Sequence, residues 1–281
     1  MKANTAPAYT LTPEQREFYR TEGYLIVRQL WTKAEIAAIK RVIDDLAAAG
    51  QPIPEYWEPK VNPDGSLDPD PLKRYPRMLH LHRHQPIGKQ MMLDPRIGAI
   101  VRALLEDEDP IACQSMVYFK PPGSRGQALH QDNFYLMVKP GTCIAAWTAI
   151  DPAIPENGGL NVVPGTHNLA IQCPQPADGK RSFVNNYVPP PDGRQPVPAV
   201  LDPGDVLFFN GSVIHGSEPN THPTLWRRSF IAHYMPSTAE EIVSWYFPLH
   251  DFNGRVIERR SSAMGGPCGE DYDWTKLEKF A

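Results

Sequence analysis

The sequence predicts a mainly β fold, a sandwich or barrel of short strands, behind a helical N-terminal region. Three observations carry that expectation. From residue 111 onward, short apolar runs alternate with glycine- and proline-based turn signals. Between about 12 and 105, apolar residues recur at helical spacing behind capping residues. The chain has 281 residues, of which 41% are apolar, enough for one large buried core. The expectation is therefore a single domain over 1–281, with a helical part at about 12–105 and a β core at about 111–235.

The helical part is read from its boundaries. Thr12-Pro13-Glu14-Gln15 supplies an N-cap, a proline at the first helical position and a capping-box glutamine, and Gly23 stops the run. Tyr24–Val27 then reads as a strand. Thr32 and Glu35 form a second capping box, followed by Ile36, Ile39, Ile43 and Leu46 on one helical face, with Gly50 as the stop. The polar, proline-rich stretch 51–77 reads as irregular. Asp94-Pro95 opens a further helix that buries Ile97, Ile100, Val101, Leu104 and Leu105.

The expected strands are Ile111–Phe119, Thr142–Ile150, Leu160–Val163, Asp205–Phe209, Ser212–Ile214 and Arg228–Tyr234. Turns separate them at Pro121-Pro122-Gly123, Pro140-Gly141, Asn157-Gly158-Gly159, Pro164-Gly165 and Pro203-Gly204-Asp205. The connection 168–200 is 33 residues long and holds seven of the 31 prolines. So long a connection inside a compact domain usually serves a function, such as a lid over a site.

Charge and composition exclude several classes. With 28 basic and 32 acidic residues the net charge is −4, and no dense Lys/Arg block suggests a nucleic-acid or membrane-surface partner. No apolar run reaches the roughly 18–20 residues that cross a bilayer. The N-terminus lacks a signal-peptide pattern, so a cytoplasmic location is expected. Cys113, Cys143, Cys173 and Cys268 show no CxxC spacing and read as reduced thiols.

The chemistry is concentrated in a few residues. His130 and Asp132 are two apart, so on an extended strand both side chains leave one face and can grip one ion. His215, at the end of the apolar run Val206–Ile214, is the best third ligand. Two histidines and a carboxylate on one face of an ion form the facial triad of non-haem iron(II) oxygenases, which leaves coordination positions open. 2-Oxoglutarate chelates iron through its keto-acid end and leaves a carboxylate at its far end. Arginine suits that carboxylate, because its fork binds both oxygens. Arg227 and Arg228 lie 12 and 13 residues after His215; on a strand they face opposite sides, so one of them points inward.

In these blocks the sequence resembles the phytanoyl-CoA dioxygenase family of iron(II)/2-oxoglutarate enzymes. The likeness rests on Phe119-Lys120-Pro121-Pro122-Gly123, Leu129-His130-Gln131-Asp132, Ala146-Trp147-Thr148-Ala149-Ile150, Glu156-Asn157-Gly158-Gly159-Leu160 and Val163-Pro164-Gly165-Thr166-His167. It continues through Pro203-Gly204-Asp205, His215-Gly216-Ser217 and Asn220, in the family's order. The resemblance implies a double-stranded β-helix, a jelly-roll barrel with the N-terminal helices packed on one sheet. It implies Fe(II) held by His130, Asp132 and His215, with 2-oxoglutarate and O2 as co-substrates. It also implies Arg227 as the 2-oxoglutarate anchor, since the family's arginine lies seven residues before an aromatic and Tyr234 follows Arg227 at that distance. The histidine-to-arginine gap is one residue longer than the family's usual gap, and a second arginine follows. Ser217, Trp147, Gln127 and Tyr118 fall at positions that contact the co-substrate.

The implied reaction is hydroxylation of an unactivated C–H with release of succinate and CO2; desaturation or cyclisation are variants of it. Related halogenases carry a small residue where Asp132 stands, so halogenation is not expected. A small free metabolite is preferred as substrate over an acyl-CoA thioester, because no basic cluster stands out for the coenzyme's phosphates. The protein is expected to act as a monomer or homodimer. A non-catalytic relative or a zinc hydrolase or isomerase with the same ligands is the competing class, and the anchoring arginine argues against both. The alternation His80, His82, His84 reads as an exposed or substrate-side strand. His167, His222 and His233 read as structural histidines of turn, loop and sheet, and Phe134 and Tyr135 as pocket walls or core aromatics.

Overall fold

The computed structural model describes residues 9–49, 64–66, 77–262 and 268. The expected irregular stretch 51–77 lies almost wholly outside them. The first helix runs Pro13–Glu22, and both arms of its capping box are made: Gln15 N donates to Thr12 Oγ1 and Thr12 N to Gln15 Oε1. Gly23 ends it at φ +80°, a left-handed conformation that costs glycine little. Lys33–Ala49 starts behind Thr32, whose backbone N–H donates to Glu35. Asp94 caps Pro95–Leu105 by accepting from Arg96 N at 2.9 Å.

The strands that position the site are β1 (Tyr24–Val27), β2 (Arg77–Leu79), β3 (Ile111–Lys120), β4 (Gln127–His130), β5 (Ile144–Ala149) and β6 (Leu160–Val162). They continue with β7 (Gln175–Pro176), β8 (Asn186–Tyr187), β9 (Val197–Pro198), β10 (Val206–Asn210), β11 (His215–Ser217) and β12 (Arg227–Met235). A major sheet orders β1-β10-β5-β12-β3, with β2 also on β3 and the short strands Leu249–His250 and Val256–Ile257 beyond it. A minor sheet orders β4-β11-β6-β9. The pairings within both sheets are antiparallel. This is the double-stranded β-helix, with the two sheets facing each other rather than hydrogen-bonded into a closed barrel.

Alternation along each major-sheet strand sorts its side chains into two cores. Val206, Phe208, Ile144, Ala146, Phe230, Ala232 and Tyr234 pack outward onto Ile36, Ile39, Ile43, Ile97 and Ile100 of the helices. Leu207, Phe209, Ala145, Trp147 and Ile231 pack inward onto Leu160 and Val162 of the minor sheet. Parity on β12 separates the two arginines: Arg227 shares the inner face with Ile231, and Arg228 the outer face with Phe230.

Three expectations are corrected. Ser212–Ile214 is not a strand. Val213 N donates to Asn210 O at 2.9 Å and Ser212 N to Asn210 Oδ1, so this apolar run is a buried corner carrying the chain between sheets. The strand begins at His215 instead.

His80, His82 and His84 are not on a strand. Leu81–His84 is one helical turn entered through His80 at φ +53°, and His80 and His82 are fully buried. Alternating His and Leu imitates β periodicity over a stretch too short to tell the two apart.

The cysteines are not all reduced. Cys173 and Cys268 form a disulfide with Cα atoms 5.5 Å apart, across a sequence separation of 95, while Cys113 and Cys143 are free and buried. Linear spacing carries no information about a pair that distant.

Candidate active site

The site is built on β4 and β11. His130 and His215 are direct partners in that antiparallel pair, and their rings lie 4.2 Å apart between centroids. Gly216 lets the strands close, since a Cβ there would sit 2.7 Å from Gln127 O.

Asp132 reaches the pair by a route the residue spacing did not reveal. β4 ends at His130, and Asp132 has helical backbone angles (φ −62°, ψ −37°) at the head of the turn Asn133–Leu136. A bend rather than strand parity swings its carboxylate back, placing Oδ1 3.4 Å from His130 Nε2 and 3.6 Å from His215 Nε2. Among the described residues, His130, Asp132 and His215 are the group of three whose ligand atoms converge within 4.8 Å, and all three are buried.

Hydrogen bonds set the state of each donor. His130 Nδ1 lies 2.9 Å from Ala128 O and His215 Nδ1 3.0 Å from Val213 O. A carbonyl only accepts, so each Nδ1 carries the proton and each Nε2 turns a lone pair inward. Burial pushes His215 down to about 4, which keeps it a neutral ligand near neutral pH. Burial alone would raise the Asp132 carboxyl. The neighbouring His215 and His233, with the hydrogen bond from His233, outweigh it and hold the group well below its usual range. Two imidazoles and one carboxylate, on one side of a shared point, fit a divalent iron ion.

His233, read from the sequence as an ordinary sheet histidine, belongs to this site. Its Nε2 donates to Asp132 Oδ2 at 2.9 Å, and its other nitrogen is buried without a partner among the described residues. One carboxylate oxygen is thereby occupied and Oδ1 is left to face the histidines. The available signal was parity: His233 is six residues after Arg227 and so shares its inward face.

The residues expected around the co-substrate gather at the same end of the inner face. Tyr118 OH donates to Gln127 Oε1 at 3.4 Å, and Gln127 Nε2 lies 3.0 Å from His130 Nε2. Ser217 Oγ accepts from Gln127 N at 3.2 Å. Arg227 lies beside the Trp147 ring, 5.4 Å from its centroid, and donates to Gly158 O and Ser229 Oγ. It meets no carboxylate among the described residues. Arg228 does the opposite: it pairs with Asp151 at 2.5 Å and with Asp44 of helix Lys33–Ala49 at 2.8 Å.

The segment 168–200 covers part of this end. Ser182 Oγ accepts from Ala128 N, Val188 N donates to Leu129 O, and Asn186 Nδ2 donates to Tyr135 OH at 3.2 Å. The Tyr135 ring stands 6.0 Å from that of His130, so Tyr135 is a wall of the site, whereas Phe134 is buried. His167 and His222 are structural: the first contacts Arg20 O, and the second accepts from Thr224 and Leu225 N–H groups.

A buried His–Asp–His trio in a double-stranded β-helix is the arrangement of the iron- and 2-oxoglutarate-dependent oxygenases, and comparison with known proteins agrees. Residues 19–229 match the family model described as Phytanoyl-CoA dioxygenase, so the chain belongs to the phytanoyl-CoA dioxygenase family. It is 27% identical over 244 residues to Phytanoyl-CoA dioxygenase 1 of Oryza sativa subsp. japonica, covering 77% of this chain and 86% of that one. The non-heme alpha ketoglutarate dependent carbocyclase SnoK from nogalamycin biosynthesis superposes with a TM-score of 0.65 at 21% identity, covering 82% of this chain and 86% of that one. The epimerase SnoN, solved with Fe3+, alpha ketoglutarate and nogalamycin RO, gives 0.62 at 23% identity, covering 81% and 84%. No helix among the described residues is long and apolar enough to cross a membrane.

Proposed function

We propose that this protein is an Fe(II)- and 2-oxoglutarate-dependent dioxygenase that hydroxylates an unactivated C–H of a small organic metabolite, releasing succinate and CO2. The convergence of His130 Nε2, His215 Nε2 and Asp132 Oδ1 carries the reading. These three atoms would hold the iron. When bound, the ion supplies the site at which dioxygen is reduced at the expense of 2-oxoglutarate decarboxylation.

The chain's own residues do the rest. Arg227, buried and without a carboxylate partner among the described residues, takes the distal carboxylate of 2-oxoglutarate, with Ser217 alongside and Trp147 as the wall behind. Gln127 and Tyr118 line the approach; with a metal on His130 Nε2, the Gln127 amide turns away from that nitrogen. His233 keeps Asp132 Oδ2 occupied, so Oδ1 is the carboxylate oxygen that would hold the ion. Segment 168–200 shields the site from bulk water. A single domain acting in the cytoplasm as a monomer or homodimer belongs to the same reading. An acyl-CoA substrate is the second choice, because the sequence offers no basic cluster for its phosphates.

The test is to incubate anaerobically purified protein with Fe(II), 2-oxoglutarate and a metabolite panel under air. The expected result is a product one oxygen atom heavier, formed with succinate, and loss of both in Asp132→Ala. Full turnover by that variant would remove the metal assignment.

A further inference from the structure

Lys120, at the end of β3, has no role in the reading above. It is 4% exposed, and its Nζ donates to Ser217 Oγ at 3.0 Å, to Gly158 O at 3.2 Å and to Glu218 O. Three acceptors use all three N–H bonds of an ammonium, so the surroundings are shaped for the charged form. Arg227 is its direct partner across β3 and β12, and Arg227 Nε donates at 3.2 Å to the same Gly158 carbonyl. Two buried cations thus hang from one oxygen.

No carboxylate among the described residues completes the pair. Glu218 turns its carboxylate outward to an exposed pairing with Arg181, and Asp151 is taken by Arg228 on the opposite face. Burial, then Arg227, push the Lys120 amine well below its usual range, and burial pushes Arg227 down to about 10. Like charges left together out of water are costly unless an anion joins them. The backbone is cleared for this arrangement: Gly158 has φ +71°, and a Cβ there would lie 2.5 Å from Lys120 Cε and Nζ.

We propose that Lys120 is a positioning residue and the second positive charge of the subsite for the distal carboxylate of 2-oxoglutarate, holding Ser217 Oγ and the Gly158 carbonyl in place beside Arg227. The proposal rests on the functional reading above and deepens it. It makes Lys120 matter for keto acids with a distal carboxylate and not for those without one.

The experiment titrates 2-oxoglutarate and, separately, 2-oxobutyrate anaerobically into the Fe(II) protein, following the charge-transfer absorption of the chelate. Lys120→Met and Lys120→Gln should weaken 2-oxoglutarate roughly ten- to hundred-fold, the effect of removing a neighbouring charge in a site of low dielectric, and leave 2-oxobutyrate within about two-fold. Lys120→Arg should restore most of the loss. Unchanged 2-oxoglutarate affinity, an equal loss for both keto acids, or collapse of both neutral variants would overturn the proposal, the last two marking a lysine that is only structural. Failure of the wild-type protein to bind either keto acid would instead defeat the functional reading itself.

Discussion

Replacing Arg228 by methionine separates two neighbouring arginines that the sequence alone leaves ambiguous. Arg228 Nε and Nη2 donate to the two oxygens of Asp151 at 2.5 and 3.2 Å, and Nη1 donates to both oxygens of Asp44 at 2.8 and 2.9 Å. Asp151 is buried, so Arg228→Met strands its carboxylate; breaking a buried pair from one side costs about 3–5 kcal/mol. The Asp44 arm sits nearer solvent and adds at most about 1 kcal/mol. A total near 4 kcal/mol lowers the melting temperature by roughly 10 °C for a chain of this size. Arg227→Met, one residue away, removes a cation with no carboxylate partner among the described residues, so its stability should stay within about 1 kcal/mol of wild type. Its 2-oxoglutarate affinity should fall by about 2–5 kcal/mol, or roughly 30- to several-thousand-fold. Urea unfolding and anaerobic 2-oxoglutarate titration of both variants give the comparison. Equal effects, or an Arg228→Met protein of normal stability that no longer binds 2-oxoglutarate, would refute the assignment of the two faces.

Other outcomes follow from the same structure. His233→Leu should weaken Fe(II) about 10- to 100-fold in equilibrium dialysis, because Asp132 loses the donor that orients it. Burial, assisted by neighbouring positive groups, pushes His82 down to about 3, and burial pushes His80 to about 2. Unfolded histidine titrates near 6.5, so the folded chain binds fewer protons. This stability is complete above that pH and lost as pH falls from 6.5 toward 3, about 1.4 kcal/mol per unit for each group. At pH 5, urea unfolding should show His82 alone costing about 2 kcal/mol, and His82→Asn should flatten the slope. Alkylation of denatured, unreduced protein should label Cys113 and Cys143 only, with Cys173 and Cys268 becoming reactive after reduction.

Local chemistry made much of the fold legible. Both capping boxes and the Gly23 stop depend on residues within a few positions of one another, and the sequence displays them directly; that Arg227 and Arg228 take opposite faces is also legible, but which of them faces inward is not. What stayed hidden depends on long-range geometry. Asp132 joins His130 and His215 through a bend, although its spacing from His130 suggested a shared strand. The Ser212–Ile214 run has strand composition but turns a corner. His233 became a candidate only once β12 was laid over the Asp132 carboxylate, a contact between residues 101 positions apart. The Cys173–Cys268 bond and the three acceptors around Lys120 are likewise invisible to any linear pattern.

The hydrogen bonds from segment 168–200 to β4 constrain how a substrate enters. Ser182 and Val188 hold the backbone on either side of the Ala128–Leu129 peptide, one and two residues before His130. Peeling the whole segment away would release the strand that presents His130, one of the three proposed metal ligands. Traffic into the site is therefore compatible with an intact centre only if the outer rim yields while the inner seam stays sewn, so a bulky substrate and a firmly held ion make opposing demands on the same few peptide groups.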